Sequence, residues 1–320
     1  MIKIGIAGAG GMGTVHLTTY GHIEGCQVTA ICDLGEHVHK KAQELGIKSY
    51  STVEEMLADQ DLDIVDICTP TFLHKEQSLA AMNAGVNVIC EKPAALSSAD
   101  AKEMMTAARE NKVQLFIAQV LQYALETQVL RDLVKSKVYG EVLDAQFLRL
   151  SACPRWIKNG WLFDKAKSGL LPFDLHIHDL DLIVSLFGKP NTIAYTSAGR
   201  ESVAYKEHYR FLYGFDRLNI AAEASWYNAD IPFTANWRVY FENAVVIFDS
   251  QGLTAYQFDQ PPKKFDLTEK LLIPTGINVP PTGMYHRELS DFINHVREGG
   301  VGCARETEII DVLTILEQIK

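Results

Sequence analysis

The chain opens on a short apolar run, IKIGIA at 2–7, bounded at once by glycines. A run of this length reads as a buried strand rather than a helix. Similar runs recur at 27–32 (QVTAIC), 62–68 (LDIVDIC), 86–90 (VNVIC) and 114–118 (QLFIA), with a shorter candidate at 47–50. The intervals between them carry helical patterns and their end signals. Residues 36–45 end at Gly46, and Thr52 with Glu55 three positions on has capping-box spacing. Thr71 is expected to cap a helix that reaches Asn83, and Ser97 or Ser98 one that runs to Arg109. Strand–helix alternation over the first third of the chain predicts a parallel, doubly wound sheet covered on both faces.

The pattern changes near Tyr123. A helix over 125–135 leads to a partly alternating strand at 141–150. A loop with Arg155, Trp156 and Trp161 follows, and then a strongly apolar helix at 174–187, stopped by Gly188 and Pro190. Strands at 208–215, 218–226, 234–241 and 244–249 come in close succession without helices between them, which implies antiparallel pairing. Residues 260–284 read as a Pro- and Gly-rich loop, and helices at 285–298 and 306–319 close the chain. The expected fold class is therefore α/β, with two domains. The first, 1–121, is the doubly wound parallel sheet. The second, 122–320, is an α+β domain with a large, mostly antiparallel open sheet.

Composition narrows the setting. The 320 residues carry a net charge of −10, which disfavours a nucleic-acid or anionic-membrane surface. Cys26, Cys32, Cys68, Cys90, Cys153 and Cys303 are scattered without a C-x-x-C pair, so neither a disulfide framework nor a zinc knuckle is expected. No apolar run approaches the ~20 residues that span a bilayer. The first residues lead straight into a strand, so no signal peptide is expected and the cytoplasm is the expected compartment.

The stretch after the first strand carries the clearest chemistry. Gly8, Gly10 and Gly13, in GAGGMG with Gly11 and Met12, form G-x-G-x-x-G between a strand and a helix, and Asp33 follows the next strand. Gly8 permits the tight turn, Gly10 lets the backbone approach a pyrophosphate, and Gly13 lets the helix pack on the strand. The helix N-terminus offers N–H groups to the phosphates. Asp33 can accept hydrogen bonds from ribose hydroxyls and would repel a 2′-phosphate. Leu34 and Gly35 supply no Arg to offset it, so NAD is expected rather than NADP. Ligands on such sheets lie beyond the carboxyl ends of the strands, where Thr69-Pro70 and Glu91-Lys92-Pro93 also fall.

Lys92, between an acid and a proline at a strand end, reads either as an exposed loop lysine or as an amine placed to donate a proton. In the apolar helix, Asp174 and His178 are four apart on one stripe that Asp181 continues, so they are either a self-satisfied pair or an oriented acid/base. His176 and His178, two apart, point to different sides of a helix, so no metal is expected there; His176 and Asp179 read as structural. No G-x-S-x-G elbow supports acyl transfer.

Taken together, GAGGMG at 8–13, DIVDICTPTFLH at 63–74, EKP at 91–93 and SGLLPFDLHIHDLDLI at 168–183 resemble the glucose–fructose oxidoreductase / inositol dehydrogenase (Gfo/Idh/MocA) family over nearly the whole chain. The resemblance implies a Rossmann domain followed by an open-sheet domain that commonly mediates a homodimer or homotetramer. It also implies hydride transfer between NAD(P) and a carbon of a sugar or cyclitol. By motif, Lys92 would hold and polarise the substrate oxygen, His178 would be the acid/base, and Asp174 would order the network. Thr69, Pro70, His74 and Glu91 would line the cofactor, and Arg155, Trp161 and Tyr285 would contact substrate or nicotinamide. Two positions depart from the family pattern. Gly169 alone stands before Leu170-Leu171 where two or three glycines are common, and Gln122 replaces a frequent Arg. A related enzyme of a dihydrodiol or amino-sugar, and a catalytically silent NAD-sensing regulator, are the other readings; the intact Lys92–Asp174–His178 set argues against the regulator.

Overall fold

Six strands come from the first 120 residues of the computed structural model: β1 (Ile2–Ala7), β2 (Cys26–Cys32), β3 (Lys48–Tyr50), β4 (Ile64–Ile67), β5 (Asn87–Glu91) and β6 (Gln114–Ala118). Then follow β7 (Val142–Ala152), β8 (Thr192–Ala198), β9 (His208–Gly214), β10 (Asn219–Tyr227), β11 (Thr234–Phe241), β12 (Ala244–Asp249), β13 (Gly252–Tyr256), β14 (Lys263–Lys264) and β15 (Gly302–Cys303). The structure describes residues 1–155 and 157–319. The chain forms two units: Met1–Val120 with Glu269–Ile310, and Leu121–Thr268 with the residues from Asp311 onward.

The first unit holds a parallel sheet in the order β15-β6-β5-β4-β1-β2-β3. Its central strands are buried on both faces: Ile4, Ile6, Ile64, Val65, Ile67, Val88 and Ile89 are all inaccessible to solvent. This is why these runs are continuously apolar rather than alternating. The chain passes from β1 outward to β2 and β3, then returns to β4 on the other side of β1. The strand order therefore reverses between β1 and β4, the place where such sheets open a crevice.

The return of Glu269–Ile310 to this unit differs from the expected cut, which put everything after residue 121 into the second domain. Two features draw the segment in. Gly302 and Cys303 pair with Gln114 and Leu115, adding β15 to the sheet edge. The helix Met284–Glu298 lays Phe292 on Phe116, ring centroids 4.8 Å apart. The stretch expected as plain loop holds β14 and an antiparallel bridge between Ile273 and Thr282. Thr71 also departs from its expected role as a cap. It lies inside a 3₁₀ turn, Thr71–Leu73, that runs into the helix His74–Asn83. Ser97 and Thr52 do cap their helices, Thr52 within a full capping box.

The second unit is built on a sheet in the order β14-β13-β12-β11-β7-β10-β9-β8. β7 and β10 run parallel and the other neighbours antiparallel. Alternation fixes the register. On β9, Tyr209, Phe211 and Tyr213 turn inward, while Arg210 and Leu212 face out. Phe147, Val239, Phe241, Ala224 and Trp226 continue the buried face.

Candidate functional site

At the end of β1 the three motif glycines meet three different surroundings. Gly8 has φ +87°, and a Cβ there would lie 2.7 Å from the Cys68 carbonyl oxygen. A Cβ on Gly13 would fall 1.9 Å from the Gly8 carbonyl oxygen, so the helix Gly11–Tyr20 can seat on β1 only as glycine. A Cβ on Gly10 would meet nothing within 4 Å. Gly10 thus fronts open space, at a helix start whose N–H groups have no side-chain cap. That combination suits a pyrophosphate: donors, the positive end of the helix dipole and room for close approach. Gly11 and Met12 supply the first of those donors. Asp33, half-buried just past β2, accepts the Ala9 N–H at 2.8 Å through one carboxylate oxygen and the Gly35 N–H at 2.8 Å through the other. Each oxygen keeps a lone pair for a ribose hydroxyl. The residues present fit an adenine dinucleotide without a 2′-phosphate.

The ends of β4 and β5 supply the rest of this half. Thr69 and Pro70 are half-buried, and the Thr69 hydroxyl donates to Gln77 Oε1 at 2.7 Å. His74, expected to line the cofactor, is buried. Its ring stands between two carbonyls, Nδ1 at 2.8 Å from Pro93 O and Nε2 at 2.9 Å from Thr69 O. Burial holds this imidazole below the ordinary histidine range. His74 therefore braces the β4 and β5 loops against each other. Glu91 is 7% exposed, and its Oε2 accepts the Lys92 N–H at 3.0 Å. Lys92 is half-buried, and the Lys92-Pro93 peptide is cis.

Below this loop lies a polar cluster that the sequence reading missed. His16 and Tyr20, four apart on the helix Gly11–Tyr20, both turn into the sheet. His16 Nδ1 is 2.8 Å from Asp66 Oδ2, to which the Tyr20 hydroxyl also donates at 2.7 Å. His16 Nε2 stands 3.3 Å from Glu91 Oε1, at ion-pair distance but without hydrogen-bond alignment. Although burial opposes a charged ring, Asp66 and its neighbours leave the imidazole well above its ordinary range. Tyr285, expected at the substrate, is 5% exposed, with its ring 6.3 Å from that of His16. A signal existed for this cluster: an acid in the middle of LDIVDIC, in a strand buried on both sides, demands a partner. Among the described residues, His16, Asp66 and Cys68 are the group with metal-ligand spacing. They are already bonded to one another, with Cys68 Sγ 3.4 Å from His16 Nδ1, and burial keeps the thiol protonated. In the structure the trio is tied together by hydrogen bonds.

In the second unit, the predicted helix at 174–187 begins earlier and in another form. Pro172–His176 is a π-helical turn in which the Ile177 N–H reaches the Pro172 carbonyl, and the α-helix proper is Ile177–Phe187. Proline at the start contributes no N–H to a regular turn, and π turns concentrate at functional sites. Gly169, at φ +70°, ends the preceding short helix and lies against Phe173. The polar residues of this element divide into two kinds. His176 is fully buried, bonds Tyr213 Oη at 2.7 Å and stacks on Phe211, and burial drives its pKa down to about 3. Asp179 is gripped by Arg149 through two bonds of 3.0 and 2.7 Å. Asp181 accepts from Gln122 Nε2, and Arg131 in turn donates to Gln122 Oε1. Asp181 thus leaves the stripe that the sequence assigned to it. Gln122 is turned into the helix, where the Arg131 cation backs it. Asp174 and His178 are the pair that stays half-exposed. Arg155 is exposed and Trp161 half-buried on the 3₁₀ segment Lys158–Phe163, whose Phe163 stacks on Tyr205 at 5.0 Å. Trp156 lies outside the described residues.

Comparison with known proteins agrees with this layout. Residues 2–119 match a family model described as an oxidoreductase family, NAD-binding Rossmann fold, and residues 127–248 match the GFO/IDH/MocA C-terminal domain. A D-glucoside 3-dehydrogenase of Escherichia coli is 33% identical over 195 residues, covering 59% of this chain and 55% of that protein. An uncharacterised oxidoreductase of Streptococcus pneumoniae is 31% identical over 211 residues, 65% of this chain and 56% of the other. The chain spans about half the length of the curated relatives it matches. A levoglucosan dehydrogenase, solved with NADH and levoglucosan, superposes with a TM-score of 0.84 at 19% identity, covering 99% of this chain and 95% of that one. That likeness is one of fold.

Proposed function

Because the chain belongs to the Gfo/Idh/MocA oxidoreductase family, we propose that it is an NAD-dependent oxidoreductase acting on a secondary hydroxyl, or the matching ketone, of a sugar or cyclitol. The observation that carries this reading is the division of polar groups along 172–181. His176, Asp179 and Asp181 are each buried against a partner, which leaves Asp174 and His178 as the accessible carboxylate and imidazole of that element. An acid/base pair on an element whose other polar side chains are tied to partners is pre-organised for proton transfer.

Bound at the glycine loop, NAD supplies the hydride acceptor. Gly10, Gly11, Met12 and Gly13 hold its phosphates and Asp33 its ribose, while Thr69, Pro70 and Glu91 border the loops beside it. His178 takes the hydroxyl proton and Asp174 orients the imidazole. The Lys92 ammonium stabilises the alkoxide that develops as the C–H bond breaks. Arg155 and Trp161 read as substrate contacts. The outward face of the large sheet exposes Leu212, Tyr240 and Tyr256 and is the face on which we place a homodimer or homotetramer contact.

The test is NADH formation across a panel of glycosides, anhydro-sugars, inositols and sugar acids. Turnover on one of them supports the reading and names the substrate. NADH binding without turnover in either direction across the panel favours the NAD-sensing regulator.

A further inference from the structure

We infer that His16 is a positioning residue that holds the Glu91-Lys92 turn in register with the phosphate-binding helix. The inference rests on the reading of Lys92 as a working amine. His16 sits one and a half turns into the helix that starts at the glycine loop, and it is fully buried. Its ring lies between two carboxylates. Asp66 of β4 engages Nδ1 at 2.8 Å, and Glu91 at the end of β5 stands 3.3 Å from Nε2. The second oxygen of Glu91 accepts the Lys92 N–H, so the chain of contacts runs from the dinucleotide helix through His16 and Glu91 to the backbone that carries the lysine. The groups around the ring are Asp66 and Cys68 from β4, Tyr20 from its own helix, Glu91 from β5 and Tyr285 from the helix Met284–Glu298. His16 is the only one of these that can carry positive charge.

Removing it leaves two carboxylates facing a vacated, water-poor space. Glu91 must then take up a proton or turn toward solvent, because a buried carboxylate without a cationic neighbour is strongly disfavoured. Either response alters the acceptor that fixes the Lys92 N–H. None of this requires His16 to touch substrate or cofactor.

The experiment reads Lys92 directly. The full chain, with nothing bound, is labelled at pH 8 with trace acetic anhydride, and the labelling rate of Lys92 is obtained by peptide mass spectrometry. Lys48, paired with Asp59 at the surface, serves as internal reference. Loss of a nearby anion makes an amine hold its proton less tightly. Because His16→Gln makes Glu91 take up a proton or turn away, both His16→Gln and Glu91→Gln should speed Lys92 relative to Lys48 about threefold or more. Relative rates within about 1.5-fold of wild type in folded His16→Gln and Glu91→Gln would overturn the inference. Should His16→Gln fail to fold, His16→Asn is read in its place. No substrate or turnover enters the measurement, so failure of every polyol in the panel would leave its outcome intact.

Discussion

Asp33 accepts the Ala9 amide at 2.8 Å, and this bond ties the glycine loop to the end of β2. The same carboxylate also receives the Gly35 N–H, so its orientation is fixed before any ribose arrives. Asp33→Ala should weaken NADH binding at least tenfold and NADPH binding far less, because it removes both the ribose acceptor and the charge that opposes a 2′-phosphate. Adding Leu34→Arg should bring the two affinities together or reverse them. Fluorescence titration of the two reduced dinucleotides measures both effects.

Two alanine substitutions in one loop should fail in different ways. Gly10→Ala places its methyl in open space at φ −70°, which any residue adopts, so melting should be unchanged while NADH affinity falls more than tenfold. Gly13→Ala drives its methyl into the Gly8 carbonyl, and the helix must move off β1. Loss of folded protein is expected there, seen by circular dichroism before any ligand is added.

Arg149 and Asp179 form a bidentate pair with both side chains at least nine-tenths buried. Arg149→Met strands the carboxylate and should cost about 3–5 kcal/mol in urea unfolding. Arg149→Met with Asp179→Leu should recover most of that loss, since an apolar replacement of a buried ion pair is often near neutral. A double variant as unstable as the single one would contradict this account.

The hydrophobic pattern located most strands well because their causes are local. Thr234–Phe241 carries its own alternation, and Ala244–Asp249 and Gln114–Ala118 are short apolar runs between turn signals. β15 has two residues, too few for any period, and exists only because Gly302 and Cys303 find β6 from nearly 190 positions away. Candidate chemistry divided in the same manner. The glycines and Asp33 are dictated by backbone sterics that sequence states outright. His74 and His16 depend on which face of a helix turns inward beside a given strand end, and their two helices show no apolar face to give a direction. Asp66 was the one local sign of that cluster, a charge inside a strand with no solvent face.

His176 gives the fold an acid-side liability. Its pKa is pushed down to about 3 by burial, so the folded chain holds it neutral while the unfolded chain protonates it near 6.5. The unfolded state thus binds the extra proton between those values. Stability present above pH 6.5 is lost as pH falls toward 3, by about 1 kcal/mol per pH unit from this group. Urea midpoints from pH 7 to pH 4 should fall less steeply in His176→Gln than in wild type, even if the variant starts from a lower midpoint.

The most direct test of the account is turnover by Lys92→Ala and His178→Ala on the polyol that wild type oxidises, with NADH affinity measured alongside. If these residues carry the proton and the developing charge, kcat should fall about 10²–10⁴-fold in each while the NADH dissociation constant stays within about twofold. Retention of wild-type kcat in either variant would contradict the assignment and send the chemistry to residues elsewhere.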